Sequence, residues 1–516
     1  MIIIKISTPF ALGDAYKLSH WIQAPKGTTG FYSNFTPRKS RLPHMDRFVW
    51  FGITSFINEL NNQFNTNFFN LPEDEAVERF NAFYSGFFGV SNDDSNEKVR
   101  ALYRLGYLPV KIKSLPEGAI VKHGVPTATF MTTHESFSWF TQFIETWCSC
   151  MTWKPSTSAT MAYYYRKTFE KYNRLTSDID WIVDFQGHDF SFRGMSGIED
   201  ACSSGAGHLT SFKGTDTCPA IEWIKSNYSV EGLIGTSVPA TEHSVQTAFL
   251  NEVTNDTYQS DLDYTLNTIR LYPSGIVSQV SDGYDFWGFV TNILPVVKDK
   301  IMARDGKFVI RPDSSPKTPV EIIIGDPDAP AGSAENKGLI QCLYEIFGGT
   351  VNSKGYIDLD SHVGAIYGDS ITLEYQEKIL EGLMRKGFSS NNIVLGIGSY
   401  TYQYCTRDTH GIAIKCTAVS SGVGENRHWR STYKDPKTDN SGKKSAKGFL
   451  RVDLENGEYV LRENVSQEDA EGGCLEVIFE DSMVYNKPSF NDIRDRIKSY
   501  LDRELANTNS KELTFA

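Results

Sequence analysis

The chain changes its hydrophobic rhythm near residue 180. Before it, apolar and aromatic residues recur at helical spacing, as in FVWFGITSFINELNNQF (48–64) and SFSWFTQFIETWCSCMTW (136–153), and predict buried helices. Beyond it, short β-branched runs each end in a polar turn: WIVDF then QGHDFSFRG, GLIG then TSVPATEHS, GIVSQV then SDGYD, KFVI then RPDSS, HVGAIY then GDS, NIVL then GIGSY. Helical stretches such as ITLEYQEKILEGLMRKG lie between several of them. Strand, polar turn and helix repeated six or seven times predict a parallel α/β barrel or doubly wound sheet, with the site at the C-terminal ends of the strands. After about 405 the rhythm stops, and KGFLRVDLENGEYVLRE and SFNDIRDRIKSYLDREL predict a hairpin and a closing helix. The polar stretches 325–337 and 437–447 read as surface loops. Both termini are expected to build one second domain around the barrel, with 1–178 and 406–516 its two parts and 179–405 the barrel.

Composition narrows the function. With 516 residues and 40% hydrophobic content the chain can bury a large core, and its formal charge of −12 argues against a nucleic-acid footprint, which needs a basic face. No apolar run approaches the roughly 20 residues of a membrane span, and MIIIKISTPFALGDAYK lacks the regions of a signal peptide. Eight scattered cysteines without zinc spacing fit a reduced setting, so a cytoplasmic location is expected.

The turns bring together one kind of chemistry. HDFSFRG holds an acid, two aromatics and Arg193; FKGTDT holds Lys213 and Asp216; SDGYD holds Asp282 and Asp285; RPDSS sets Arg311 beside Asp313. GDS (368–370) and GIGS (396–399) are small-residue turns whose backbone N–H groups can hold a phosphate, and phosphate after the last two strands is the usual barrel arrangement. Each taken alone has a structural reading: an ion pair, core aromatics, a hydrogen-bonded histidine. Their succession along one rim suggests a phosphorylated sugar whose reacting carbon becomes cationic.

GHDFSFRG, FKGTDT, SVPATEHS, VSDGYD, IRPDS and YGD, with GDAYKLSHW near the start and TRD at 406–408, resemble the nicotinamide phosphoribosyltransferase family over nearly the whole chain. The resemblance implies a type II phosphoribosyltransferase fold, an irregular TIM-like α/β barrel plus an α+β domain from both chain termini. It also implies a homodimer with sites at the subunit interface. The implied reaction joins nicotinamide to 5-phosphoribosyl-1-diphosphate with Mg²⁺ present, giving nicotinamide mononucleotide and diphosphate in NAD salvage.

By the same resemblance, Phe190 stacks on the pyridine ring with Tyr16 of the other subunit opposite, and Asp216 accepts the carboxamide N–H. Asp313, Gly368 and Asp369 hold ribose hydroxyls. Arg311 and Arg193 hold phosphate, and Arg38, Arg407, Lys415 and Lys434 reach the phosphates from the partner. Ser237, Ala240, Ser278, Pro312, Gly398 and Ser399 complete the substrate lining. His243 matches a histidine that ATP phosphorylates, with Asp282 preferred over Glu242 as its orienter. Asp282, Asp313 and Arg311 are the catalytic companions of His243.

Three departures stand out. The family's turn after residues 393–395 is richer in glycine, and Tyr400 is expected to narrow it here; the stretch SGVGENRHWRSTYKDP before Lys434 is longer than usual; and MSGIEDACSSG after Arg193 differs in detail. Nicotinate phosphoribosyltransferase, the same fold with the acid substrate, is the nearer alternative, opposed by Asp216. A noncatalytic signalling protein on this fold is the more distant one.

Overall fold

The structure is a computed structural model that describes residues 6–368, 371–438 and 444–507. Asp369 therefore lies outside the described residues.

Six short parallel strands make the central sheet: β1 (Gly187–Asp189), β2 (Gly214–Thr215), β3 (Val277–Val280), β4 (Phe308–Arg311), β5 (Val363–Tyr367) and β6 (Ile393–Ile397). Their order is β2-β1-β6-β5-β4-β3. Every residue of β3 and β5 is buried, as expected of strands covered on both faces. The open edges of β2 and β3 are joined by the irregular segment 236–240. Gly214 pairs with Thr236 on one side and Ala240 with Ser278 on the other, both parallel. Seven extended positions thus follow one another around a closed ring in chain order, which is the irregular barrel.

Two expected strands differ. WIVDF is not extended: Val183–Gln186 is a helical turn, and β1 begins at Gly187. Asp184 is held there by Arg166 and Lys213, and its carbonyl accepts the Lys213 N–H. GLIG, with Gly232 at φ 73°, contributes no regular ladder. The next residues pair by single bridges because Pro239 has no N–H to donate, although its carbonyl accepts from Ser278 at 2.9 Å. Within 325–337, read as loop, Ala334–Lys337 forms a helical turn capped by Ser333.

The second sheet takes strands from both ends of the chain. Its order is His428–Ser431, Ala413–Ser421, Thr28–Thr36, Ala128–Thr132, Val110–Ser114, Glu476–Glu480, Met483–Val484. The expected hairpin pairs Phe449–Glu455 with Glu458–Val465, and the closing helix is Phe490–Asn507. Two large apolar clusters underlie these parts. One gathers Phe10, Phe35, Trp50, Phe64, Phe80 and Trp147 under the antiparallel sheet. The other gathers barrel residues such as Val277, Ile310 and Leu395 with Tyr163, Tyr165 and Phe169. The helix Glu145–Thr176 spans both, its first turn in one cluster and its later turns in the other. Phe490, Ile493, Ile497 and Leu501 of the closing helix pack in the barrel's cluster, and Arg494 donates to the carbonyls of Leu209, Phe212 and Ile234.

Candidate active site at the barrel rim

Polar side chains collect at the C-terminal ends of the strands. Directly after β1, Phe190 is fixed by its N–H to Ile397 O on β6 at 3.0 Å. Its ring lies 4.5 Å from that of His188. Period-two alternation puts His188 and Phe190 on one face. Gly396 makes room for them: a Cβ there would fall 2.8 Å from Phe190 Cδ2 and from Gly368 Cα.

His188 was not singled out in the sequence, yet it governs Asp216. Its Nε2 lies 3.0 Å from Asp216 Oδ1, and Ser237 Oγ donates to the same oxygen. Burial opposes ionisation of Asp216, but the bonds from His188 and Ser237 and the nearby positive charge of Arg311 outweigh it, holding its carboxyl below the usual carboxylate range. Oδ1 takes both bonds, and the Asp216 side chain stays 42% exposed. The alternation His188-x-Phe190 was the signal that could have pointed to this histidine.

Across the ring, His243 opens the short helix His243–Thr247, and its Nε2 lies 3.0 Å from Asp282 Oδ1. The His243 side chain is 47% exposed and that of Asp282 only 4%, so a buried carboxylate orients a reachable imidazole. Facing a carboxylate, Nε2 is the nitrogen that donates. Asp282 Oδ2 accepts from Asp313 N at 3.0 Å and Ser314 Oγ at 2.5 Å, tying this pair to the loop after β4. Glu242, the other neighbouring carboxylate, accepts instead from Ser244.

Arg311 ends β4 and donates from Nη2 to Thr241 O at 2.8 Å. Its buried Nε has no hydrogen-bond partner among the described residues, and neither has the buried Oγ of Ser278, whose backbone bridges the neighbouring Ala240. Buried polar atoms left open at a cleft mark a place for a polar ligand. Pro312 is buried behind this loop, and Asp313 comes close to β5, where a Cβ on Gly368 would fall 2.7 Å from its Oδ1. After β6 the chain turns at Gly398 into the helix Ser399–Gln403. A Cβ on Gly194 would fall 2.5 Å from Ser399 Cβ, so the exposed Arg193 loop borders this turn. Tyr400 does not narrow the turn as expected. Its ring lies 4.4 Å from that of Tyr404 and lines a separate cavity of about 970 Å³ with Leu42, Tyr164 and Leu505.

The remaining predicted residues form a second set on the antiparallel domain. Lys415 sits opposite Asn34, and Arg38, two residues past the end of the strand Thr28–Thr36, donates from Nε to Gly411 O at 2.8 Å. Burial pushes the Lys415 ammonium down; Glu145 opposes this, while Arg38, Lys434 and Arg407 repel it further. These four cations therefore share one locality. Arg407 pairs with Asp408 at 3.0 Å and stays half exposed. Tyr16 is 57% exposed, with Lys17 5.5 Å from its ring centre. Among the described residues no group of three or more His, Cys, Asp or Glu is arranged to hold a metal ion, and no helix is long and apolar enough to cross a membrane.

Known proteins carry the same architecture. Residues 10–112 match the profile of the nicotinamide phosphoribosyltransferase N-terminal domain, and residues 185–486 that of the Nicotinate phosphoribosyltransferase (NAPRTase) family. A protein of Acinetobacter baylyi named nicotinamide phosphoribosyltransferase is 44% identical over 502 residues, 95% of this chain and 97% of that protein. One of the same name from Xanthomonas campestris is 32% identical, covering 86% and 88%. Among solved structures, nicotinate-nucleotide pyrophosphorylase from Pyrococcus furiosus superposes with a TM-score of 0.57 at 13% identity, covering 98% of this chain and 99% of that one. Human nicotinic acid phosphoribosyltransferase gives 0.51 at 14%, covering 95% and 93%. The closed seven-position barrel, its rim of carboxylates and arginines, and a match over most of its length make this chain a phosphoribosyltransferase that belongs to the Nicotinate phosphoribosyltransferase (NAPRTase) family.

Proposed function

We propose that the enzyme transfers the 5-phosphoribosyl group from 5-phosphoribosyl-1-diphosphate to nicotinamide, giving nicotinamide mononucleotide and diphosphate in NAD salvage, with ATP coupled through His243. The observation that carries the choice of pyridine is Asp216, whose carboxyl is held ionised by His188 and Ser237 beside Phe190. An ionised acceptor suits a carboxamide N–H and repels the carboxylate of nicotinate.

Phe190 supports one face of the ring, adding on the order of 1 kcal/mol beyond area burial. The pyridine nitrogen lone pair forms the bond to C1 as the bond from C1 to the diphosphate oxygen breaks. No proton has to leave, so the step needs no general base. Positive charge developing at C1 and negative charge on the diphosphate are met by Asp313 and by Arg311 and Arg193, fixed before reaction. Ser237, Ala240, Ser278, Pro312, Gly368, Gly398 and Ser399 line the space between. Tyr16, Arg38, Arg407, Lys415 and Lys434 serve the neighbouring site of a homodimer, which accounts for an exposed tyrosine and a clustered basic set on the antiparallel domain. Mg²⁺ fits as an ion brought by the diphosphate, since magnesium binds through substrate phosphates and one or two carboxylates. Asp313 is the rim carboxylate that would hold it, and it would neutralise charge on the leaving group.

For ATP, Nδ1 of His243 attacks the γ-phosphorus, the bond to the bridging oxygen breaks, and ADP leaves; hydrolysis of the N–P bond later returns the imidazole and phosphate. Mononucleotide formation from nicotinamide and from nicotinate, each with and without ATP, tests the whole reading. Preference for nicotinamide and a rate raised by ATP are expected, and in His243→Ala the ratio of the two rates falls to one. Preference for nicotinate overturns the substrate, and equal ATP stimulation in wild type and His243→Ala overturns the coupling.

A further inference from the structure

The helix that begins with His243 and the loop that carries Asp282 are far apart in the chain, and one buried amide joins them. Gln246, one turn after His243, is fully buried. Its Oε1 accepts from Gly283 N at 3.1 Å, and its Nε2 donates to Asp261 Oδ1 at 2.8 Å. Gly283 directly follows Asp282. A Cβ at 283 would fall 2.5 Å from Gln246 Oε1, so glycine there is what lets the amide reach the backbone. Asp261 stands on the helix Thr257–Leu271 and is buried. Burial raises its carboxyl, the Gln246 bond lowers it, and Asp285 raises it. The charged groups around this amide are thus Asp261 and Asp285 on one side and the His243–Asp282 pair on the other.

We propose that Gln246 is the positioning residue of His243: by clamping the helix to the Gly283 N–H, it keeps Nε2 on Asp282 and Nδ1 turned outward with its lone pair. This rests on the reading of His243 as the phosphate acceptor. Gln246 touches no reacting atom and acts through the spacing of the other two. Its chemistry is specific. Leucine fills the volume and makes neither bond. Glutamate still accepts from Gly283 but sets a second carboxylate oxygen against Asp261, where a donor is needed. Adding Asp261→Asn supplies that donor, so the pair Gln246→Glu with Asp261→Asn reverses the polarity of one bond and keeps both contacts.

The test compares wild type, Gln246→Leu, Gln246→Glu, the Gln246→Glu/Asp261→Asn swap and His243→Ala in full-length enzyme. Three quantities are read: phosphoenzyme formed from γ-labelled ATP, the ratio of turnover with ATP to turnover without it, and the His243 tautomer from ¹⁵N-histidine spectra. Gln246→Leu and Gln246→Glu are expected to lower phosphoenzyme by about tenfold, the equivalent of one hydrogen bond. The swap restores it at neutral pH, and Gln246→Glu alone recovers as pH falls, because one shared proton then bridges the two carboxylates. A general loss of fold lowers both turnovers together and leaves their ratio unchanged. The spectra show the Nε2–H tautomer in wild type and swap, and a mixture in Gln246→Leu. A Gln246→Leu enzyme with the wild-type ratio and tautomer, or a swap that recovers nothing, overturns the proposal. A wild type that forms no phosphoenzyme, with a tautomer that still depends on Gln246, removes the acceptor reading and leaves the positioning role standing.

Discussion

Substitution of Asp216 by asparagine isolates the charge that sets pyridine preference. Asparagine keeps the shape and an oxygen that can accept from His188 and Ser237, so the change is chiefly the loss of one negative charge. Two like charges about 4 Å apart at an effective dielectric near 20 repel by roughly 4 kcal/mol. The Asp216 side chain is 42% exposed, and solvent screening of a half-open site takes about half of this. The remainder of about 2 kcal/mol corresponds to about thirtyfold in relative kcat/KM. Asp216→Asn should therefore narrow the preference for nicotinamide over nicotinate by at least that factor, measured as competing formation of the two mononucleotides in one mixture. Because a partly exposed charge is screened by salt, the wild-type preference should shrink as ionic strength rises while that of the variant stays flat. An unchanged preference in Asp216→Asn would falsify the electrostatic account and move selectivity to the shape around Phe190.

Other residues give independent tests. His410 is fully buried, with its pKa pushed down to about 3 by burial and by His123. The unfolded chain takes up a proton near pH 6.5 that the folded chain refuses until about pH 3, so stability falls as pH drops through this window, by on the order of 4 kcal/mol at its acid end. His410→Leu should flatten the dependence of Tm on pH between 7 and 4.5, and parallel curves would rule this out. Glu117 is buried with bonds from Gly52 N, Thr54 N and Oγ1, and Tyr228 OH; Glu117→Ala leaves these donors open and should cost roughly 3 kcal/mol or more in denaturant unfolding. Gly396→Ala drives a methyl group against Phe190 and Gly368, and is expected to raise KM for nicotinamide with Tm changed far less. If the homodimer shares its sites, mixing inactive Asp313→Ala with inactive Arg38→Ala subunits should restore about a quarter of wild-type activity, since half the dimers are hybrids with one intact site each. No recovery would place each whole site within one subunit.

Much of this was legible in the amino-acid order because the barrel reads its chemistry off strand ends. KFVI, HVGAIY, NIVL and GIVSQV became β4, β5, β6 and β3, and the polar turns after them became one rim. Apolar runs bounded by glycine and charge announce buried strands whatever surrounds them. WIVDF failed as a strand because Arg166 and Lys213, distant in the chain, hold Asp184 in a turn, and GLIG failed because glycine and Pro239 leave the ring only single bridges to make. His243 Nε2 meets Asp282, while Glu242 accepts from Ser244.

The chain order by itself pointed to six or seven strand–turn–helix units with acids, arginines and small-residue turns at the strand ends, and to a second domain drawn from both termini. Only the tertiary structure decided how those turns interlock. It paired His188 with Asp216, put Gln246 between Asp261 and Gly283, turned Tyr400 onto Tyr404, and laid the closing helix on the barrel's core. Periodicity reports which face of an element is buried and says nothing of which distant residue will meet it. Hydrogen bonds between turns 21 to 207 positions apart exist only once ring closure has brought the strand ends within a few ångströms of one another.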